Sequence, residues 1–427
     1  MAFEMEELNK RRKQREQKKQ DRQKQQKKML MRLGIAGGVL IACMILIFSV
    51  GLSGKQPPVG ETTLSTGDLP QMQTTTEAEA YSPTTVIHFT AAGDLNVTDK
   101  VVASGGAAFD YTGAFLDVLP LLSEADLTAL NLEGNACGEP YGKDSAPQQL
   151  LSALKATGVD ILQLANSKTI QRGVSGLNAT LQNVRIAGFA TVGAVAPEES
   201  YEDSFVIRIV QGVRVAVVAF TKGMDGMALP AGSENRVNLL YTDYSSTYKK
   251  VDNQGIAKVL RAVAREEPDI TIAMLHWGSE YSDIHSDTQN AIRDLMFKEG
   301  VDAIIGTHPH YVQEMVLDQK KGTFIAYSLG DFFGDAARTG TDYSVVLDLE
   351  ITKDNEIGET KVTGFRYTPI YTAENPDGTL KVVRLEAAIA AYEAGHIDRV
   401  SQESYENMLY GLQRIADRVQ PKPEEKK

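Results

Sequence analysis

Two stretches decide the reading of this chain: Leu275-His276-Trp277-Gly278-Ser279-Glu280-Tyr281 and Gly306-Thr307-His308-Pro309-His310. Each follows a short apolar run, Ile270 to Leu275 and Val301 to Ile305. Apolar runs of about four to eight residues bounded by turn signals are the pattern of strands covered on both faces, as in parallel sheets. The histidines therefore fall where strands end, at the edge where α/β proteins place ligands. Imidazoles two residues apart, joined by a third from a neighbouring strand, are the start of a metal site. The chain has 6 His, and three of them are here. A lone strand-end histidine is ordinarily a hydrogen-bonded structural residue, but three together favour a site.

The same alternation extends outward. A strand over Val86–Ala92 runs into Gly93-Asp94, and one over Leu127–Leu132 ends in Glu133. Val159–Ala165 reads as a strand ending in Asn166, and Phe205–Val210 and Val213–Phe220 as a hairpin about Gly212. Helices are expected over Leu116–Ala125, Gln148–Thr157, Gly173–Asn183, Asn253–Glu266 and Asp287–Glu299. Phe324–Leu329 is a further strand, with Ser344–Ile351 and Lys361–Tyr367 as closing antiparallel strands. Such alternation predicts an α/β (α+β layered) domain over residues 85–375. C-terminal helices at Ala387–His396 and Ser401–Val419 and a polar tail make up 376–427.

Asp94, Asn131, Glu133, Asn166, His276, Glu280, His308, His310 and Asp331 all fall at or just beyond predicted strand ends. Carboxylates, amides and imidazoles converging on one sheet edge suit a divalent ion of intermediate hardness, Mn, Fe or Zn. Such a centre binds phosphoryl oxygens and acidifies bound water. The competing account of Asp94 and Glu133 is helix capping or loop hydrogen bonding, and of Asn131 the fixing of a loop.

The N-terminal residues read differently. Residues 1–32 carry twelve Lys/Arg against five Asp/Glu, and residues 33–53 contain no charge. About 20 apolar residues span a bilayer core, so 33–53 reads as an uncleaved transmembrane helix. Its basic flank keeps the N-terminus cytoplasmic and places the remainder outside: a single-pass protein of the cell membrane with an extracellular domain. Residues 54–84, rich in Thr, Ser, Pro, Gln and Glu, read as a disordered stalk. The formal charge is −12 for the chain and +7 for its first 32 residues, leaving −19 for residues 33–427. That balance argues against nucleic acid as a partner, and it obliges any polyanionic ligand to find a metal or a basic patch. Cys43 lies in the apolar segment and Cys137 beyond it, so the domain relies on an ordinary core rather than an internal disulfide.

The set Gly93-Asp94, Asn131-Leu132-Glu133, Leu164-Ala165-Asn166, His276-Trp277-Gly278-x-Glu280-Tyr281, Gly306-x-His308-Pro309-His310-x-x-Gln313 and Tyr327-Ser328-Leu329-Gly330-x-Phe332 resembles the CapA family. These are poly-γ-glutamate capsule synthesis proteins, related in fold to calcineurin-like metallophosphoesterases. The resemblance runs from about residue 86 to 370 in the family's order, and the two histidine segments are its specific part. It implies a four-layer α/β/β/α sandwich with metal ligands at Asp94, Glu133, His276, His308 and His310. It also fits the topology of Gram-positive members and suggests capsule-synthesis membrane proteins as partners.

The departures bear on activity. Where the family has Asn-Asn-His followed by Asp and Gly, this chain reads Asn166-Ser167-Lys168-Thr169-Ile170-Gln171-Arg172-Gly173, and Asp331 replaces an Asn. By analogy with metallophosphoesterases, a metal ligand and the acid that protonates the leaving group are thereby lost. Acid–base help is worth about 10²–10⁴ in rate, so weak or absent phosphatase turnover is expected. Lys168 and Arg172 are then either a solvated helix start or an anion-holding pair beside the histidines. The expectation is an accessory protein for an anionic surface polymer, with a metal-dependent phosphoesterase of rearranged site as the alternative.

Overall fold

The computed structural model describes residues 82–396 and 401–419. The expected basic tail, membrane segment, most of the stalk and the last residues lie outside them. Among the described residues no helix is long and apolar enough to cross a membrane.

The chain builds two sheets by leaving one and returning to it. β1 (Thr84–Asn96), β2 (Leu127–Glu133), β3 (Ile161–Gln163) and β4 (Ala190–Val192) run parallel in that order. The helices Leu119–Ser123, Gln148–Lys155 and Gly173–Ile186 lie in the crossovers that parallel pairing requires. A second sheet follows: β5 (Phe205–Val210), β6 (Val213–Thr221), β7 (Ile270–His276), β8 (Ala303–Thr307), β9 (Met315–Asp318) and β10 (Thr323–Ala326), in the order β5-β6-β7-β8-β10-β9. β5 and β6 form the expected hairpin. Gln211 and Gly212 both take positive φ, 46° and 80°, as a tight two-residue turn of this hand needs. The chain then rejoins the first sheet through β11 (Asp331–Phe333), β12 (Tyr343–Asp354), β13 (Thr360–Glu374) and β14 (Leu380–Arg384). The result is β14-β13-β12-β1-β2-β3-β4 with β11 beside β1, a mixed α/β fold.

Side-chain alternation in β6 shows why the second sheet has unbroken apolar strands. Val213, Val215, Val217 and Ala219 enter the core shared with Phe89, Ala91, Leu347 and Leu349 of the first sheet. Ala216, Val218 and Phe220 enter a separate core with Ile256, Val259, Leu260 and Val263 of the helix Asn253–Arg265 and Ile292 and Met296 of the helix Asp287–Lys298. With both faces covered, every position from Val215 to Phe220 is apolar. Each valine, leucine, isoleucine, phenylalanine or methionine among them contributes about 1.5–3 kcal/mol on burial, so the fold has no need of a disulfide, and Cys137 is free.

Two expectations change. The helix expected over Leu116–Ala125 is confined to Leu119–Ser123, because Pro120 occupies its first turn, where a proline starts a helix rather than continues one. Residue 375 is no border either. β14 extends the first sheet, and Leu385, Ile389, Met408, Ile415 and Val419 of the C-terminal helices are buried in the same core as β1 and β12.

Candidate metal centre

Strand register assembles the site from both sheets. β1 sets Asp94 opposite Asn131 and Asn96 opposite Glu133, while β11, on its other side, sets Asp331 opposite Asp94. In the second sheet His276 lies opposite Thr307, one residue before His308. Thus the first sheet supplies carboxylates and the second imidazoles. Two glycines permit the approach: a Cβ on Gly93 would stand 1.8 Å from the Gly330 carbonyl oxygen, and one on Gly306 1.9 Å from that of Tyr327. His308 and His310 hold φ of 93° and 59°, a left-handed conformation that non-glycine residues adopt mainly under outside constraint.

Hydrogen bonds lock the group. Asp94 accepts from the Asn131 amide at 2.6 Å and from the His308 backbone N–H at 3.0 Å. The Asn166 amide donates to Asn131 Oδ1 and to the Leu132 carbonyl. His310 Nδ1 lies 2.7 Å from Asp331 Oδ1, and the His276 and His308 rings are 4.5 Å apart. Candidate ligand atoms within 4.8 Å of one another form three overlapping groups: Asp94–Glu133–His276, Glu133–His308–His310 and Asp94–His310–Asp331.

Whether these residues suit a cation is answered by three atoms. Glu133 Oε2, His276 Nε2 and His308 Nδ1 are buried with no hydrogen-bond partner. Buried polar atoms are rarely left so, because each forfeits its solvation. A divalent ion beside Glu133 would meet His276 in one of the three groups and His308 in another, so the donor set fits a metal. Protonation agrees. Burial, with the neighbouring cationic groups, holds the His276 and His308 imidazoles well below their usual range, hence neutral and able to ligate. Burial and then Glu133 push the Asp94 carboxyl well up, and burial raises Glu133 in turn. His310 behaves oppositely: burial pulls it down, but the charge and hydrogen bond of Asp331, with Glu133 and Asp94, outweigh that and lift it to about 11.

Ser167 and Lys168, the departures from the family pattern, are both committed. Ser167 Oγ donates to Glu133 Oε1 at 2.5 Å, and Lys168 Nζ reaches Asp225 Oδ2 at 2.5 Å. Burial pulls the Lys168 ammonium down, and the hydrogen bond and charge of Asp225 more than offset it. A lysine held charged in this way is a poor proton donor at neutral pH. Arg172 turns elsewhere: its guanidinium donates to the Pro140 carbonyl and faces Asp144 at 3.8 Å, which, of the two readings left open for it, favours the helix start over an anion-holding pair. Glu280 is exposed and lines a cavity of about 240 Å³ with Ser167, Lys222, Tyr248, Ser279 and His308.

Lys222 and Arg338 escaped the sequence reading. Lys222 Nζ donates to the Gly278 carbonyl at 2.7 Å and lies 3.4 Å from His308 Nε2. It directly follows β6, so the strand-end rule that found the histidines would have found it too. Arg338 stacks on Tyr281 at 3.9 Å, and Tyr281 on His310 at 5.4 Å. Arg338 sits in a loop that no periodic pattern marks.

Residues 88–336 match the family described as bacterial capsule synthesis protein PGA_cap, and the chain belongs to that family. Relatives include the capsule biosynthesis protein CapA of Bacillus anthracis, 29% identical over 257 residues, covering 58% of this chain and 59% of that one. The PGA biosynthesis protein CapA of Bacillus subtilis (strain 168) is 26% identical over 299 residues, 68% of this chain and 73% of the relative. The chain thus spans less than two thirds of the Bacillus anthracis protein. Among solved structures, the calcineurin-like phosphoesterase YfkN of Bacillus subtilis aligns over 77% of this chain and all of its own, at 18% identity and a TM-score of 0.39.

Proposed function

We propose that this chain is a membrane-anchored accessory protein that aids synthesis, export or anchoring of an anionic surface polymer, poly-γ-glutamate by its relatives' names. Its metal centre holds anionic groups and turns over phosphoesters weakly or not at all. The observation that carries this is the commitment of Ser167 to Glu133 and of Lys168 to Asp225 beside an otherwise complete ligand set. Asp94, Glu133, His276, His308, His310 and Asp331 would hold the ion, which we take to be Mn, Fe or Zn. When bound, it supplies positive charge to an oxyanion. Asn131 and Asn166 orient Asp94, and the two sheets with their outer helices form the four-layer α/β/β/α arrangement. Residues 33–53 anchor the chain with its N-terminus inside, and the polymer meets the domain outside the cell alongside other capsule-synthesis membrane proteins.

The test has two arms. Deleting the gene is expected to lower surface polymer, and restoring the chain with His308→Ala/His310→Ala is expected not to recover it; unchanged polymer in the deletion strain would sink the proposal. Purified full-length protein is expected to carry about one or more equivalents of transition metal, lost in the double variant. A second reading, a metal-dependent phosphoesterase with a rearranged site, rests on the retained ligands. It is excluded if the Mn- or Zn-loaded protein hydrolyses no phosphoester faster than His308→Ala.

A further inference from the structure

We infer that the centre grips a linear polyanion at two cations, Lys222 and Arg338, which stand at the two ends of a continuous row of side chains across the histidines. This rests on the reading that the centre holds anionic groups, and it names the kind of ligand. The row runs from Lys222 to His308 at 3.4 Å, from His308 to His310 with ring centres 6.1 Å apart, from His310 to Tyr281 at 5.4 Å, and from Tyr281 to Arg338 at 3.9 Å.

Most cations around the site are already matched. Lys168 faces Asp225, Arg172 faces Asp144, and Arg414 and Arg418 face Asp283. Lys222 and Arg338 make no ion pair among the described residues. Both are nonetheless held in place. Lys222 is fixed by the Gly278 carbonyl and by the face of Tyr248 at 4.8 Å, and Arg338 by Tyr281. An ammonium has three donors, and only one of those on Lys222 is spent on a strong acceptor. A guanidinium stacked on a ring keeps its edge free for oxyanions. In a domain of strongly negative charge, two prepositioned cations without an ion-pair partner give a negatively charged ligand its foothold at the centre, although Glu280 and Asp225 act on Lys222 from across the cavity that they share. A ligand with one charged group uses the metal and one end of the row. A chain with charges along its length uses both ends, and gains the effective-concentration advantage of a second contact.

The experiment is a binding titration of full-length, metal-loaded protein with γ-linked glutamate oligomers of increasing length and, separately, linear polyphosphates. The two probes share the repeated charge and differ in the charged group, so they distinguish a carboxylate polymer from a phosphate one. Affinity is expected to rise by about tenfold or more from monomer to oligomer with at least one probe. Lys222→Met and Arg338→Met should each flatten that rise while leaving the thermal transition unchanged and metal content no lower than in the wild type, and Lys222→Arg should retain it. Affinity independent of length with both probes, or a rise that survives both methionine variants, overturns the inference. Should monomer bind with no gain from length, only this inference falls; should the wild-type protein bind neither metal nor any anion, the proposed function falls and takes it along.

Discussion

At the scale of single residues, His310 is the group to watch. Its folded pKa of about 11 lies above the ordinary histidine value near 6.5. A raised pKa adds stability in full below the unfolded value, and that stability is lost as pH climbs from about 6.5 toward 11. Asp94 and Glu133 act in the same direction, since burial favours their protonated forms and ionising them disfavours the folded state. The metal-free protein is therefore expected to lose stability steadily from pH 6.5 to 9. Urea unfolding in the presence of a chelator measures this, and a flat or rising profile would show that the His310–Asp331 pair is not charged. Asp331→Asn should remove much of the slope, because the counter-charge is gone while the shape remains.

At the scale of elements, the approach of strand ends sets the site. Gly306→Ala would drive a methyl group into the Tyr327 carbonyl and against Trp277 Nε1. Overpacking of that kind costs about 1–3 kcal/mol, and the displaced strand carries His308 with it, so metal content is expected to fall together with stability. An unchanged metal content would mean that the strand yields without moving the histidine. Ser286→Ala is the useful contrast. Ser286 caps the helix Asp287–Lys298 by accepting from the Gln289 N–H, and that helix packs on the face of the second sheet away from the first. Its loss should cost about 1 kcal/mol and leave metal content alone, as denaturation and elemental analysis of one preparation would show.

The legibility of the sequence divides along the same line. The strands carrying Asp94, Glu133, His276 and His308 could be read because burial on both faces writes itself as an apolar run with a polar stop. β9 and β11 could not, since four and three residues carry no period. The role of Arg172 stayed open in the sequence because a residue at a helix start has several directions available, and only the folded neighbourhood of Pro140 and Asp144 chooses one. Lys222 was legible by the rule already in use; Arg338 was not, because it depends on a stacking contact between distant loops.

At the scale of the whole molecule, the C-terminal helix Gln402–Val419 braces the site from outside. Arg414 reaches Asp283 at 2.8 Å, and Arg418 lies over Tyr311 at 4.9 Å, next to the residues that bear Tyr281 and His310. Ending the chain near residue 400 should loosen those segments and expose the core face filled by Met408, Ile415 and Val419. The expected result is weaker metal binding and an earlier thermal transition. A truncated chain with full metal affinity would show that the brace is dispensable.

Carboxylates from one sheet and imidazoles from the other meet only after the sheets have docked. An ion bound there acts as a rivet through two plates, and ligands that bind the native state alone raise its stability by mass action. Metal supply should then govern how long the molecule survives as well as what it binds: a cell starved of the ion would lose this protein to its proteases, and the shortage would appear first as abundance.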